Sequence, residues 1–343
     1  MDGKEMRNKI TGCLLGGALG DALGYPIEFL SFNAIQTHYG YYGIQDPEID
    51  LKTKKALISD DTQMTLFTAE GLIIADKNIR DNREETINFI YQSYLQWLAT
   101  QGYPNKSTNK DSFLSSIQEL WKIRSPGETC IKSLLSNKLG TVREPINDSS
   151  GCGGLMRIAP VGLVYRHDES FEAGCHIAAI THGSEKAYIP AGFLSYLISL
   201  LLMGYDLKVA ILESAKRVSN TLNNSTTYKA FQAIKFAEQT RKHTDQEIIE
   251  FIGQGWIAEE ALAIAIYCSL KYQHNFKQAL RVAVNHSGDS DSTGSITGQI
   301  LGAYLGSDKL PTDWINRIEL KEVIINTAEK LNQLKFRYMH NDD

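Results

Sequence analysis

Several features that mark large classes of protein are scarce or missing in this chain. Cysteine occurs 5 times and proline 8 times in 343 residues. The five thiols, Cys13, Cys130, Cys152, Cys175 and Cys268, are odd in number, widely spaced and without a C-x-x-C pair, which fits a reduced compartment rather than a disulfide framework. There is no run of Lys/Arg and no basic stripe interleaved with aromatics, and the net charge is −5. A nucleic-acid surface therefore lacks its usual electrostatic source. The longest apolar stretch, Ala191 to Met203, spans 13 residues and carries two serines, too short for a membrane span. The opening MDGKEMRNKI has no apolar segment of the signal-peptide kind. Together these absences predict a cytoplasmic protein with neither a nucleic-acid nor a membrane partner.

Alternation of period 2 is also missing. Apolar residues instead recur at helical spacing, as in Ile87, Ile90, Tyr91, Tyr94 and Leu98, or Ile131, Leu134, Leu135 and Leu139. Helix starts are well marked, with a capping box at Thr244-Asp245-Gln246-Glu247 and Asp206 ahead of LKVAILESAKRV. The reading is about fourteen helices and no strand, in a compact all-α bundle. Three irregular stretches, Phe32 to Leu57, Thr100 to Asp111 and Gly140 to Gly154, lack the composition of flexible linkers. One domain over residues 1–343 is expected.

Two aspartate clusters stand out, Ser59-Asp60-Asp61-Thr62 and Asp289-Ser290-Asp291-Ser292-Thr293, each just ahead of a helical stretch. Either one alone reads as a helix cap, because Asp and Ser satisfy free N–H groups and suit the positive end of the dipole. As a pair they read as two halves of one oxygen-ligand metal site, since carboxylates drawn together repel unless a cation neutralises them. Two rows of glycine at four-residue spacing accompany them: Gly12, Gly16, Gly20, Gly24 and Gly294, Gly298, Gly302, Gly306. A helix-interior glycine costs about 1 kcal/mol against alanine, so two such rows predict a close helix–helix approach at the centre of the molecule. Gly24 and Gly306 are expected to end their helices.

Other constellations carry weaker signals. In Gly20-Asp21-Ala22-Leu23-Gly24-Tyr25-Pro26-Ile27-Glu28-Phe29 the proline breaks the helix and leaves Glu28 between two apolar neighbours. Such surroundings raise a carboxylate's pKa and suit a general acid or base, although an exposed loop glutamate is an equal reading. The glycine loop Ser149-Ser150-Gly151-Cys152-Gly153-Gly154 runs toward Arg157, and successive N–H groups there can cradle a phosphate. It has neither P-loop spacing nor a preceding strand, so a plain helix-initiating turn competes, with Arg157 as a structural ion-pair partner. His182 lies between two helical patterns, where a structural role or a ligand contact is open. Asp289-x-Asp291-x-Thr293 also matches an aspartyl-phosphatase motif, but that motif needs a strand before it, and an EF-hand is excluded because its position 12 would be Ile300.

Taken together, GDALGYPIEF, SDDTQMT, SGCGGLMRIAP, THG and SGDSDSTGSITGQILGAYLG resemble the ADP-ribosylglycohydrolase family in identity, order and spacing, from about Ile10 to Gly306. The resemblance implies a compact single-domain orthogonal bundle with a binuclear centre of two Mg2+ or Mn2+ ions beneath an ADP-ribose cleft. It implies Ser59, Asp60, Asp61, Asp289, Asp291 and Ser292 as metal ligands. Asp60, Asp61 and Asp291 would also serve catalysis with Glu28, the acidic residue facing the scissile bond. Ser149, Ser150, Gly151, Cys152, Gly153 and His182, together with Glu28, would bind the substrate. Hard oxygen ligands without histidine or cysteine agree independently with those metals. Cys152 departs from the family, many members of which carry asparagine there. The implied activity is removal of ADP-ribose from modified protein, with arginine expected as acceptor and serine-linked or ester-linked ADP-ribose as alternatives. A different class of reading makes the protein a binding partner that neutralises an ADP-ribosyltransferase toxin by occlusion.

Overall fold

In the computed structural model, residues 2–76, 78–219, 224–239 and 243–340 are described. Among them there is no β-strand, only two isolated bridges, Ala56 with Ile318 and Gly151 with Ile257. Fourteen of the helices run eight residues or more. Those that position the site are α1 (Gly3–Gly24), α2 (Asp60–Ala75), α3 (Arg83–Thr100), α4 (His167–Ala179), α5 (Glu185–Leu202), α6 (Ala258–Lys271) and α7 (Ser290–Leu305).

The glycine rows explain why α1 and α7 lie at the centre. A Cβ on Gly12 would stand 2.4 Å from the Gly302 carbonyl oxygen, on Gly16 2.2 Å from that of Gly298, and on Gly20 2.0 Å from that of Gly294. A side chain at Gly12, Gly16, Gly20, Gly294, Gly298 or Gly302 would collide with main chain, so the two antiparallel backbones touch only because these positions are glycine. Gly24 closes α1 and also packs on the Ser290 main chain, 2.3 Å from a Cβ, while Gly306 caps α7 with φ +81 and donates to the Gly302 carbonyl at 2.9 Å. Register follows from this contact. The last turn of α1, with Asp21, and the Tyr25–Ile27 turn after it are pressed against the first turn of α7, which carries Asp291.

The second cluster is brought in by Asp21. Its carboxylate accepts from the Ser59 N–H at 2.9 Å and the Thr62 N–H at 3.1 Å, tying the N-terminus of α2 to the end of α1. The remaining helices wrap this pair, and buried apolar side chains from Ile10 to Tyr338 join in one cluster. All of the apolar stretch noted in the sequence but its last residue, Met203, lies in α5, whose Phe193, Leu194, Leu197, Ile198 and Leu201 are all fully buried. No helix among the described residues is long and apolar enough to cross a membrane.

One expected irregular stretch holds a helix. Phe32–Tyr39 is helical, started by Ser31, whose hydroxyl accepts from the Ala34 N–H at 3.3 Å, and stopped at Gly40 with φ +89. Only Ile35 of its residues is buried, so no apolar period announced it.

Candidate active site

The N-termini of α2 and α7 face one cavity of about 380 Å3. Asp60 and Asp61 enter its wall from the first turn of α2, and Asp291 and Ser292 from the first turn of α7, with Asp289 just before it. Helix capping accounts for only part of this. Ser59 caps α2 by accepting from the Asp61 N–H at 3.1 Å, whereas Asp289 stands at the N-cap of α7 without capping it through its side chain. Its N–H donates instead to the Gln254 carbonyl at 2.9 Å, and Gly288 before it, at φ +154, would put a Cβ 2.0 Å from that carbonyl.

Glu28 completes the cluster. Pro26 opens the short Tyr25–Ile27 turn, Phe29 leaves it at φ +68, and the part-buried Glu28 between them reaches into the cavity. One carboxylate oxygen each of Glu28, Asp289 and Asp291 lies within 4.8 Å of the other two. Ser292 Oγ donates to Asp61 Oδ1 at 3.3 Å, joining the two halves directly. Asp60 Oδ2 accepts from the Gly127 N–H at 3.0 Å.

The electrostatics are those of an uncompensated acidic site. Burial first, then Asp291, Asp289 and Asp60, push Glu28 up to about 10. Burial and Asp291 raise Asp21 to about 7. Asp60, Asp61 and Asp289 are all raised well above the usual carboxylate range, by burial before mutual repulsion. Asp291 is raised by burial. Among the described residues no Lys or Arg lines the cavity to offset these charges.

A divalent cation fits these residues. Asp61 Oδ2 and Glu28 Oε2 are both buried and without a hydrogen-bond partner, a costly state for carboxylate oxygens. They belong to a set of hard oxygen donors suited to Mg2+ or Mn2+.

The glycine loop forms a further part of the wall. Gly151, Cys152 and Gly153 line the cavity with His182, whereas Ser149 and Ser150 do not. Ser149 Oγ hydrogen-bonds the Thr129 hydroxyl at 3.1 Å, and the Ser150 carbonyl accepts from the Ala258 N–H, the first residue of α6, at 3.0 Å. Ser59 is fully buried, with its side chain in hydrogen-bond reach of Asp291 in the cavity wall. A Cβ on Gly153 would meet His182 Cε1 at 2.9 Å, so only glycine lets the loop lie against the imidazole. Cys152 Sγ donates to Asp289 Oδ2 at 2.7 Å, and burial followed by Asp289 drives its thiol far above the normal range. At the mouth, the Phe29 and Trp256 rings stack with centroids 5.3 Å apart.

Three contributors went unnoticed in the sequence. Asp21 organises the α2 terminus, and its signal was a lone carboxylate among small and apolar residues. Gly127 supplies the N–H for Asp60, within a Ser125-Pro126-Gly127 turn whose composition marked a loop and nothing more. Trp256 carried no signal. Arg157, read as a possible ion-pair partner, is fully buried, and its partners among the described residues are uncharged: Met64, Cys130, Thr181 and the Tyr94 ring.

The family model described as ADP-ribosylglycohydrolase matches residues 2–339. The chain is similar to the ADP-ribosyl-(dinitrogen reductase) glycohydrolase of Rhodospirillum rubrum, at 25% identity over 94% of this chain and 94% of that one. It is similar to the ADP-ribosylarginine hydrolase Tri1 of Serratia proteamaculans, at 24% identity over 95% of this chain and 80% of that one. A solved structure described as an ADP-ribosylglycohydrolase-related protein complex shares the fold, with a TM-score of 0.66 at 21% identity over 97% of this chain and 99% of that one.

Proposed function

The chain belongs to the ADP-ribosylglycohydrolase family, and from that premise we propose that it removes ADP-ribose from modified protein by cleaving the N-glycosidic bond between ribose C1 and an arginine side chain. The observation that carries this reading is the convergence of Glu28, Asp289 and Asp291, with carboxylate oxygens within 4.8 Å of one another, in a wall that also holds Asp60 and Asp61. Arginine is favoured as acceptor by the likeness of the S-G-D-S-D-S-T segment to the arginine-specific branch.

Ser59, Asp60, Asp61, Asp289, Asp291 and Ser292 would hold two divalent cations, Mg2+ or Mn2+. When bound, such ions supply Lewis-acid polarisation of sugar oxygens and an acidified water. Glu28 is the proton-handling residue. Its Oε2 has no partner, and its place beside the acidic cluster makes its proton affinity respond to any charge brought into the cavity. In the hydrolysis the water oxygen joins C1 and keeps one proton, the C1–N bond breaks with its electron pair going to the departing nitrogen, and the other water proton passes through Glu28 to that nitrogen, so the arginine leaves as guanidinium. Gly151, Cys152 and Gly153 would cradle the diphosphate and ribose with Ser149 and Ser150 just before them in the loop, and the Phe29–Trp256 pair restricts water at the mouth. Five buried free cysteines suit a reducing cytoplasm.

The test is incubation with proteins ADP-ribosylated on arginine or on serine, with Mg2+ or Mn2+ and with chelator. Release of ADP-ribose from the arginine substrate, abolished by chelator, is expected. Release from serine alone would reassign the acceptor, and release from neither would end the hydrolase reading.

A further inference from the structure

Beyond the glycine loop lies a guanidinium with no carboxylate partner among the described residues. Arg157 is fully buried, stacks over the Tyr94 ring at 4.2 Å, and leaves its Nε without a partner. An ion held this way is expensive, and its neighbours indicate its use. Arg157 Nη2 donates to Thr181 Oγ1 at 2.7 Å, and Thr181 Oγ1 lies 2.8 Å from His182 Nδ1.

A guanidinium can only donate, so the Thr181 oxygen accepts from Arg157 and its single hydroxyl proton goes elsewhere. Two acceptors are in reach, His182 Nδ1 and the Cys130 thiol. Imidazole nitrogen is the stronger acceptor and sulfur a weak one, so the proton goes to Nδ1. The neutral ring then carries its own proton on Nε2. That nitrogen faces the glycine loop, 3.2 Å from where a Cβ on Gly153 would stand and 3.5 Å from one on Gly151.

We propose that Arg157 and Thr181 are positioning residues which lock His182 in the Nε2–H tautomer, so that the cavity always presents a neutral N–H donor to an oxygen of the bound nucleotide sugar. The corner is fixed on its far side as well, where the Thr181 carbonyl accepts from Ser133 Oγ at 2.9 Å and Asn147 Nδ2 at 2.8 Å. Burial and the nearby Arg157 charge also hold the imidazole down to about 3, which keeps it uncharged beside the acidic wall. The ligand contact rests on the function proposed above, whereas the tautomer does not.

Side-chain nitrogen NMR of 15N-labelled protein, with the His182 signals assigned through His182→Gln, reads the tautomer without any ligand. The wild type and Thr181→Ser should both show a protonated Nε2 and a bare Nδ1, and Thr181→Val should lose that state. Calorimetry with ADP-ribose should then give a Thr181→Ser affinity within about twofold of wild type and a Thr181→Val affinity about tenfold weaker, the effect of one hydrogen bond to a charged group. A wild-type proton on Nδ1 overturns the proposal, and so does a Thr181→Val protein with unchanged tautomer and affinity. Should Thr181→Val fail to fold, the wild-type and Thr181→Ser spectra decide. If the wild type shows the expected tautomer but takes up no ADP-ribose, the functional reading falls and the relay stands.

Discussion

Gly16 and Gly298 meet backbone to backbone: a Cβ on Gly16 would stand 2.2 Å from the Gly298 carbonyl oxygen. That contact sets the depth of α1 against α7 and hence the distance between Glu28 and Asp291. Gly16→Ala should lower stability by about 1–3 kcal/mol despite alanine's better helix propensity, because main chain has to shift. Gly3→Ala, where nothing lies within 4 Å of the added carbon, should be neutral or slightly stabilising. Urea denaturation of the two variants checks the contrast.

Asp291→Asn should act with opposite signs in the metal-free and metal-loaded protein. Without cations the substitution removes a charge that burial disfavours and that raises Glu28, Asp21 and Asp61, so the melting temperature should rise. With Mn2+ at 100 times its Kd the wild type should gain about 2.7 kcal/mol, and the variant far less. Equal Mn2+ stabilisation of both proteins would remove Asp291 from the ligand set.

Stability of the metal-free protein should fall as pH rises. Glu28, raised to about 10, and Asp21, raised to about 7, hold protons in the folded state that the unfolded chain releases above its ordinary carboxylate pKa values near 4. Their contribution is fully present below about pH 4, and is lost as pH rises through 7 and then toward 10. Urea midpoints in chelator should therefore decline from pH 5 to pH 9, and Mg2+ or Mn2+ should flatten the decline. A midpoint that climbs across that range in chelator contradicts the reading.

Thiol reactivity should be nearly absent in the folded protein. All five cysteines are buried, and burial raises the thiols of Cys13, Cys130, Cys152, Cys175 and Cys268. A disulfide reagent at neutral pH should titrate less than about one thiol natively and all five in denaturant, because only the accessible thiolate reacts. Rapid native labelling of Cys152 would show the cavity wall to be open.

The sequence disclosed the features that local rules cannot explain away. Six glycines inside two helices at fixed spacing violate helix propensity, and only a close backbone approach accounts for such a violation. Paired acidic clusters violate charge balance in the same way. What stayed hidden were contacts that obey local rules while acting at a distance. Asp21 sits in an ordinary helical turn, and only the packed structure reveals that its carboxylate holds the Ser59 and Thr62 N–H groups. The helix Phe32–Tyr39 buries too few residues to imprint a period. Arg157 reads as a surface-type charge in any sequence, and only burial shows that it is held among uncharged partners.

The central claim is that the Asp60–Asp61 and Asp289–Asp291 clusters, drawn together by α1 and α7, form one divalent-cation site. Calorimetric titration of chelator-stripped protein with Mn2+ tests it most directly. Saturable uptake, abolished in Asp61→Asn and in Asp291→Asn, is the predicted result. No uptake by a folded wild type, or uptake undiminished in both variants, would contradict it.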